Sequence, residues 1–271
     1  MHRREQAEDI EISVIIPAHN EAARILPYLW QIHEYLQRLQ RPYELLVVDD
    51  GSTDDTAALV EDFARSASVV HLLRLPVCRG KGAAIRYGMH WARGYLQLFA
   101  DADGATPISE FERLERALAK GADVAIGSRV LAAQLPGYSV QVCRYRIVLG
   151  ALFNMAVRRS GLRGISDTQC GFKLFRKIVA KELFPSTSID GFGFDLEILH
   201  LAQQRGYRIA EVPVNWSEQP GSKVRLFRDG LAMFRDLAMI TRKHRQSRHG
   251  IPYSSQGILQ VRSTVLEASE M

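Results

Sequence analysis

The chain has few cysteines and no long apolar run. Its 271 residues contain three cysteines, Cys78, Cys143 and Cys170, which lie far apart and lack the spacing of metal ligands. This usage is typical of a reduced, cytosolic compartment and excludes a disulfide-rich secreted scaffold. The longest uncharged run, 147–157, is too short to cross a bilayer, which takes about 18 apolar residues or more. The first residues, MHRREQAEDIE, are too polar for a signal peptide, so we expect neither a signal peptide nor a transmembrane segment.

Two common phosphate-binding motifs are also missing. The segment RGKGAAIRYG (79–88) has two glycines and Lys81 at a predicted helix start, where backbone N–H groups favour anions. It lacks the GxxxxGK[ST] spacing of a P-loop, and Ile85 holds the third glycine position of the GxGxxG motif. The segment is therefore either an anion site or an ordinary helix cap with a solvated Lys81.

Basic residues outnumber acidic ones by 35 to 30, and they concentrate in residues 141–163 and 223–248. Such patches attract phosphates, whether of a nucleotide, a nucleic acid or an anionic lipid. The stretch RKHRQSRH (242–249) is short and has no interleaved aromatic residues. It favours a lipid headgroup or a solvated tail, so we expect no nucleic-acid partner.

Short apolar runs alternate with amphipathic stretches through the first half of the chain. Strands are predicted over 12–18, 43–50, 68–75, 95–103 and 122–129, and helices over 21–39, 53–66, 80–93 and 108–120. This alternation predicts an α/β fold with a Rossmann-like, mainly parallel sheet and helices on both faces. Ligands of such sheets bind beyond the carboxyl ends of the strands.

The pattern changes after about residue 130. We predict a loop over 131–141, a helix over 140–160, a loop over 164–175 that leads into a short helix, a helix over 191–206, a strand over 207–216 and an amphipathic helix over 224–243.

Two aspartates end the predicted strand in LFADADGATP (98–107). Asp101 and Asp103 are one residue apart, so both can reach one hard cation from the same side. Mg²⁺ and Mn²⁺ prefer oxygen ligands and are often bound by one or two carboxylates plus substrate phosphates. An isolated pair of this kind is more often two solvated loop acids or a helix cap.

Two further strand ends are polar, which strengthens the functional interpretation. Asp49 and Asp50 lie in VVDDGSTDDT, and Asn20 and Glu21 lie in IIPAHNE. An acid at such a place can accept hydrogen bonds from ribose hydroxyls or a base N–H. The alternative for each is ordinary turn chemistry.

These motifs, in this order and at these separations, resemble the GT-A glycosyltransferases of family 2. Three later segments, DTQCGFKLF (167–175), FDLEILHLA (194–202) and VNWSEQPGSKV (214–224), resemble the dolichyl-phosphate β-glucosyltransferases, with the mannosyltransferases as close cousins. The resemblance covers roughly residues 10–240. It implies a GT-A fold and an inverting transfer of a sugar, most simply glucose from UDP-glucose, to a polyprenyl or dolichyl phosphate.

Several alternatives stay open beside this function. They are the use of GDP-mannose, a different acceptor such as a diacylglycerol or a saccharide, a non-catalytic nucleotide-sugar-binding protein and a nucleotidyltransferase. The intact aspartate pair, Lys81 and Arg129 argue against a non-catalytic protein.

The resemblance also implies roles for individual residues. The nucleotide sugar would contact Pro17, Asn20, Glu21, Asp49, Asp50, Lys81, Asp101 and Asp103. Asp101 and Asp103 would hold Mg²⁺ or Mn²⁺. The acceptor would contact Arg129, Arg144, Gln169, Cys170, Gly171, Lys173 and Lys223. Ala105 departs from the mannosyl pattern, in which a polar amide can add a metal ligand.

The expected chemistry needs no strong base. A phosphate monoester has a second pKa of about 6, so the acceptor is already a nucleophile at pH 7. Lys81 or Arg129 can stabilise the departing diphosphate. We therefore expect Arg129, Asp103 and Asp167 to be the catalytic residues, and a carboxylate that assists the attack would be Asp103 or Asp167.

The apolar tail of such an acceptor requires a membrane surface. We expect a cytoplasmic protein that binds the cytoplasmic face of a membrane through residues 141–160 and 223–243, although both segments could instead be helices packed on the core. Residues 10–245 would form the GT-A domain, with 130–245 as its acceptor and membrane half. Residues 1–9 and 246–271 are predicted to be flexible.

Overall fold

A computed structural model of the chain describes residues 9–141, 162, 164–219, 232–233, 235–242 and 258–260. The strands in this part of the chain are β1 (Ile12–Ala18), β2 (Tyr43–Asp50), β3 (Val70–Leu75), β4 (Leu96–Ala100), β5 (Val124–Ser128), β6 (Val140–Gln141), β7 (Phe172–Arg176), β8 (Ile209–Pro213), β9 (Trp216–Ser217) and β10 (Ile258–Gln260). The helices are α1 (Ile25–Leu39), α2 (Thr56–Ser66), α3 (Lys81–Trp91), α4 (Phe111–Ala119), α5 (Arg129–Ala132), α6 (Lys177–Leu183) and α7 (Phe194–Gln204). Two 3-10 turns, Ile108–Glu110 and Phe184–Ser186, precede α4 and follow α6.

The larger sheet has the strand order β10-β8-β5-β7-β4-β1-β2-β3. Neighbouring strands run parallel except at β7, which pairs antiparallel with both β4 and β5. The predicted mixed, mainly parallel sheet is therefore confirmed. The central strands β1 and β2 are apolar runs with nearly every residue buried, as strands covered on both faces must be.

Helices cover both faces of this sheet, because side chains alternate between the two faces along each strand. Val14 and Ile16 of β1 belong to one apolar cluster with α1, α2 and α4. Ile15 belongs to the other cluster, with α3, α6 and α7. Each fully buried Ile or Leu stabilises the fold by about 1.5–3 kcal/mol, so the two clusters fix the helices to the sheet.

The segment 164–175 differs from its prediction. The loop over 164–171 and the short helix that follows the segment, α6, agree with the prediction, but residues 172–175 belong to β7 instead of the loop. Phe172 and Leu174 face one apolar cluster and Phe175 faces the other, which is the alternation of a strand. Lys173 interrupts this pattern in the sequence, although its side chain is fully buried.

Most of the two predicted membrane helices, 140–160 and 224–243, lies outside the described residues, because 142–161 and 220–231 are not among them. Val140 and Gln141, predicted to begin a helix, instead pair with β9 in a small parallel sheet. Residues 235–242 are helical as predicted, with Leu237 and Ile240 buried and Arg235 and Arg242 exposed. Within the described ranges, no helix is both long and apolar enough to span a bilayer.

Part of the predicted tail 246–271 is ordered as a strand. Ile258–Gln260 form β10, which pairs parallel with β8 at the edge of the sheet. The flexibility of the remaining tail and of residues 1–9 stays a prediction.

Candidate active site

The parallel strands bring the predicted polar clusters to one edge of the sheet. In β1 and β2, Ala18 pairs with Asp49, so the loops that follow both strands start side by side. β4 lies on the other side of β1 and leads into Asp101 and Asp103. A cavity of about 550 Å³ opens at this edge, and its lining includes Asn20, Glu21, Arg24, Tyr28, Gln31, Asp103, Gly104 and Gln219.

The residues predicted to hold the nucleotide also build this edge. Oδ1 of Asn20 accepts the N–H of Thr53 at 2.7 Å, which joins the β1–α1 loop to the β2–α2 loop. Glu21 accepts a two-bond fork from Arg24, with both N···O distances 2.7 Å. Pro17, near the end of β1, is half-buried beside this loop. These local bonds hold the cavity wall in place, and the nucleotide contacts themselves stay predictions.

Asp50 fixes the loop between β3 and α3. Its carboxylate accepts the N–H of Arg79 and of Gly80, each at 2.7 Å, while Oδ1 of Asp49 accepts the N–H of Ser52 at 3.1 Å. Both aspartates are almost fully buried. The loop after β2 approaches the β3–α3 loop so closely that it requires Gly51, because a Cβ there would lie 2.6 Å from the backbone nitrogen of Cys78.

One group of mixed ligands lies at the same place. Donor atoms of His19, Asp50 and Cys78 all fall within 4.8 Å of one another. However, the Asp50 carboxylate already accepts two backbone N–H groups and the Cys78 thiol, and His19 Nδ1 is hydrogen-bonded to the Asp50 carbonyl at 2.8 Å. We interpret this group as a hydrogen-bonded turn, distinct from the aspartate pair after β4.

The glycines of RGKG serve a close contact between two backbones. The carbonyl of Asp190 accepts the N–H of Gly82 at 2.7 Å and of Ala83 at 3.2 Å, so it caps the start of α3. A Cβ at Gly80 would lie 2.5 Å from that same oxygen, and Gly80 also has a φ of 114°. Of the two sequence interpretations, the helix cap is therefore correct for the backbone.

Lys81 is not solvated, in contrast to the cap interpretation. Its ammonium lies 2.8 Å from Oδ1 of Asp101 and 3.5 Å from Oδ2 of Asp195. Burial alone would lower the pKa of Lys81, but the charges of these two carboxylates raise it above its ordinary value. Lys81 is therefore a fixed positive charge beside the aspartate pair.

Asp195 is a site residue that the sequence analysis missed. It lies in the first turn of α7, is almost fully buried and pairs with the ammonium of Lys173. Lys173 is also fully buried and donates to the Cys170 carbonyl at 2.7 Å. Burial would raise the pKa of Asp195, but the charges of Lys173 and Lys81 lower it. The signal in the sequence was the occurrence of two acids, Asp195 and Glu197, among the apolar residues of FDLEIL.

Asp101 and Asp103 lie at the mouth of this network. The Asp101 N–H donates to the Gly171 carbonyl at 3.0 Å, and Oδ1 of Asp103 accepts the N–H of Ala105 at 3.0 Å. Partial burial raises the pKa of Asp101, the Lys81 ammonium opposes that rise, and the nearby charge of Asp103 adds to it. A cation held between the two carboxylates would relieve their repulsion, and their oxygen donors suit Mg²⁺ or Mn²⁺.

Arg129 and Asp167 form the second charged centre. The guanidinium donates two hydrogen bonds to the carboxylate, each with an N···O distance of 2.7 Å. Burial would raise the pKa of Asp167, but the Arg129 charge and its hydrogen bonds lower it. The ring of Trp216 lies 5.4 Å from the guanidinium, within the range of a cation–π contact.

Glu211 supports this centre and was also missed. It lies in β8, where its carboxylate accepts the N–H groups of Ser166 and Asp167 at 2.7–3.1 Å. A single acid inside the apolar run IAEVP is hard to interpret without knowing its partner. Glu211 thereby places the loop 166–171, whose other end touches Asp101 through Gly171.

The residues predicted to bind the acceptor have different surroundings. The Nε2 atom of Gln169 is buried and has no hydrogen-bond partner among the described residues, which suits a ligand contact. Burial raises the pKa of the Cys170 thiol to about 12, so this thiol is neutral at pH 7. Lys173 lies beneath the site, bonded to Asp195, while Arg144 and Lys223 are outside the described residues.

Comparison with known proteins agrees with this architecture. Residues 13–184 match the family described as Glycosyl transferase family 2. The chain belongs to glycosyl transferase family 2. It is therefore a glycosyltransferase, and the recognition made from its motifs is confirmed.

Two relatives of this family 2 enzyme are named dolichyl-phosphate beta-glucosyltransferase. One, from Drosophila melanogaster, is 39% identical over 250 residues, which are 87% of this chain and 76% of the relative. The other, from Saccharomyces cerevisiae, is 36% identical over 257 residues, which are 89% of this chain and 77% of the relative.

A solved structure confirms the predicted GT-A fold. Glucosyl-3-phosphoglycerate synthase from Mycobacterium tuberculosis, in complex with Mn²⁺, UDP and phosphoglyceric acid, superposes with a TM-score of 0.61. It is 24% identical in sequence, and the match covers 90% of this chain and 80% of that one.

Proposed function

We propose that this enzyme transfers glucose from UDP-glucose to the phosphate of dolichol or another polyprenol, with inversion at the sugar and with dependence on Mg²⁺ or Mn²⁺. The observation that carries the proposal is the pairing of Lys81 with Asp101, next to Asp103, at the carboxyl edge of the sheet. The names of the two relatives support glucose and dolichyl phosphate. The Mycobacterium tuberculosis structure, solved with Mn²⁺ and UDP, motivates the choice of metal and nucleotide.

Asp101 and Asp103 would hold the metal ion. Both are carboxylates, and such oxygen donors fit a hard cation. When bound there, Mg²⁺ or Mn²⁺ supplies Lewis-acid stabilisation of the leaving diphosphate. Lys81 adds a second positive charge at the same place, since its pKa is raised and it stays protonated.

The acceptor would face Arg129. Its guanidinium is held by Asp167 and Trp216, so it can receive a phosphate without first reorganising. An oxygen of the acceptor phosphate attacks C1 of the glucose, the bond between C1 and UDP breaks, and UDP leaves with the electron pair. Because the attacking oxygen is already anionic at pH 7, orientation and electrostatics supply the acceleration.

Membrane contact completes the proposal. The enzyme would bind the cytoplasmic face of a membrane, where a polyprenyl tail lies, through segments that include residues 235–242. The exposed face of that helix carries Arg235, Met239 and Arg242, while Leu237 and Ile240 pack on the core. A helix with one face on the core and a basic face outside suits an anionic lipid surface.

The test is the transfer of labelled sugar to a short polyprenyl phosphate, with UDP-glucose and GDP-mannose in parallel and with Mn²⁺ or Mg²⁺. We expect turnover with UDP-glucose that EDTA abolishes and added metal restores. Asp103→Asn should remove turnover and leave the circular dichroism and melting temperature intact, whereas Asp62→Asn, on an exposed surface of α2, should behave as wild type. Turnover with GDP-mannose alone would change the donor, and no lipid product from either donor would refute the acceptor.

A further inference from the structure

The ammonium of Lys81 lies between two carboxylates of unequal exposure. It is 2.8 Å from Oδ1 of Asp101, whose side chain is 39% exposed, and 3.5 Å from Oδ2 of Asp195, whose side chain is 2% exposed. Lys81 itself is 14% exposed. The Lys81 ammonium can therefore move toward either carboxylate without leaving the site. We call the more exposed Asp101 its outer partner and the buried Asp195 its inner partner.

The outer partner is the carboxylate assigned to the metal ion. In the structure, Oδ1 of Asp101 forms an ion pair with the Lys81 ammonium. Two positive charges on one oxygen repel each other strongly at these distances. A divalent cation that binds Oδ1 of Asp101 would therefore compete with the ammonium for that oxygen.

The inner partner is fixed independently of Lys81. Asp195 pairs with Lys173, which is fully buried and also bonded to the Cys170 carbonyl. A buried ammonium costs several kcal/mol in lost hydration, so Lys173 cannot do without Asp195. Asp195 hence stays ionised and in place, 3.5 Å from Lys81, whichever partner Lys81 takes.

We propose that Lys81 is an internal counter-ion that holds Asp101 until a divalent cation binds, and that Asp195 is the positioning residue that then receives the ammonium. This inference rests on the proposed function, because it takes Asp101 as a metal ligand. It assigns a role to the contact between Lys81 and Asp195. When the cation binds, the ammonium leaves Asp101, and Asp195 keeps it close enough to contact the diphosphate.

The proposal predicts opposite effects for two single substitutions. Lys81→Met removes the competitor, so Mn²⁺ alone should bind the protein at least about tenfold more tightly. Asp195→Asn removes the charge that draws Lys81 inward, so Lys81 stays on Asp101 and Mn²⁺ should bind about tenfold more weakly.

The double variant separates this coupling from simple electrostatics. If Asp195 acts mainly through Lys81, then Asp195→Asn should weaken Mn²⁺ binding much less in the Lys81→Met background than in the wild type. If Asp195 merely adds negative charge to the site, the same weakening should appear in both backgrounds. The measurement is a titration of the full-length protein with Mn²⁺ and no donor, with free Mn²⁺ read from its electron paramagnetic resonance signal.

Two further variants keep the test decisive. Arg79→Met removes one positive charge two residues before Lys81, but its side chain pairs with Asp190 and not with Asp101, so Mn²⁺ affinity should stay near wild type. Lys173→Met leaves Asp195 with Lys81 as its remaining lysine partner among the described residues, so Mn²⁺ should bind more tightly. This second variant reports on Asp195 even if Asp195→Asn fails to fold, which circular dichroism will show.

The outcomes distinguish this inference from the proposed function. The inference is supported if the two single substitutions shift Mn²⁺ affinity in opposite directions and the double variant binds Mn²⁺ nearly as tightly as Lys81→Met. Equal weakening in both backgrounds, or no tightening in Lys81→Met, overturns it while metal-dependent transfer still stands. If neither the wild type nor Lys81→Met binds Mn²⁺, the metal site of the proposed function fails, and this inference fails with it.

Discussion

Arg129 and Asp167 form a two-bond ion pair in which Nε–Oδ2 and Nη2–Oδ1 are both 2.7 Å. Oδ2 also accepts the backbone N–H of Arg129 at 2.9 Å, and Oδ1 accepts the N–H of Gln169 at 3.2 Å. The carboxylate is thus surrounded by donors, and its pKa is lowered by Arg129 in spite of its burial. We infer that Asp167 positions Arg129 and takes no proton from the acceptor.

The first prediction concerns the pH profile of transfer. Asp167→Asn should lower kcat by about 10²-fold, because Arg129 loses its charged partner and its fixed orientation. The acidic limb of the profile should persist near pH 6, since it reports the second ionisation of the acceptor phosphate. Initial rates between pH 5 and 8 measure both effects. An acidic limb that disappears in the variant would mean that Asp167 is the base.

The second prediction concerns stability in acid. The pKa of Asp167 is lowered in the folded protein, so its ionised form stabilises the fold above the ordinary Asp pKa of about 3.9. This contribution is lost as the pH falls below that value and through the folded pKa. The free energy of unfolding, measured in urea at pH 7, 5, 4 and 3, should therefore fall less steeply for Asp167→Asn than for the wild type.

A matched exposed acid provides the control for that measurement. Asp62 pairs with Arg65 on the surface of α2, where both side chains are more than half exposed. Such pairs contribute about 0–1 kcal/mol, so Asp62→Asn should leave the slope between pH 5 and 3 close to that of the wild type. Parallel slopes for Asp167→Asn and the wild type would contradict the assigned shift.

The parts of the fold that the sequence predicts are those whose signal is local. β1 and β2 are short apolar runs, and their predicted bounds, 12–18 and 43–50, are confirmed. β4 is also found where it was predicted, but it ends at Ala100 and not at Asp103. The strand β7 escaped prediction because Lys173 interrupts its alternation, and its partners lie about 50 to 80 residues away in the chain. A buried lysine looks like a surface residue until its counter-charge is known.

The same reason explains the missed site residues. Asp195 and Glu211 are acids inside largely apolar segments, and their roles depend on Lys173 and on the backbone of 166–167. The segment RGKG illustrates the opposite case. Its glycines suggested an anion cradle, but they serve the approach of the Asp190 carbonyl, which only the folded chain brings there.

The third prediction uses a pair of glycines. A Cβ at Gly171 would overlap the carboxylate of Asp101, whereas a Cβ at Gly191 would meet no atom within 4 Å. Both glycines have a φ that an L-residue can adopt. Gly171→Ala should therefore displace Asp101 and lower kcat/KM for the donor by about 10²-fold, while Gly191→Ala should leave it unchanged.

Two readouts decide that prediction. Mn²⁺ affinity should fall together with kcat/KM in Gly171→Ala, because the same carboxylate is moved. The melting temperature of both variants should be compared first, so that a folding defect is recognised. Normal turnover in Gly171→Ala would mean that the position of Asp101 does not limit the reaction.

The fourth prediction concerns the exposed face of residues 235–242. Arg235 and Arg242 point away from the core, which Leu237 and Ile240 join on the opposite face. Each basic residue near an anionic membrane surface contributes about 1 kcal/mol, so replacing both by Glu should weaken binding to phosphatidylcholine–phosphatidylserine vesicles at least about thirtyfold. Co-sedimentation at low and high salt measures the effect, which should shrink as salt screens the charges.

The control for the membrane prediction is the same charge change elsewhere. Arg38 and Arg65 are exposed on α1 and α2, each in a surface ion pair, and their replacement by Glu alters the net charge equally. That variant should retain most of its vesicle binding and its transfer to a short, water-soluble polyprenyl phosphate. The Arg235 and Arg242 variant should also keep the soluble-acceptor activity, because neither residue lies at the aspartate pair or at Arg129. Equal loss of vesicle binding in both variants would show that net charge attracts the enzyme to lipid, with no dedicated helix face.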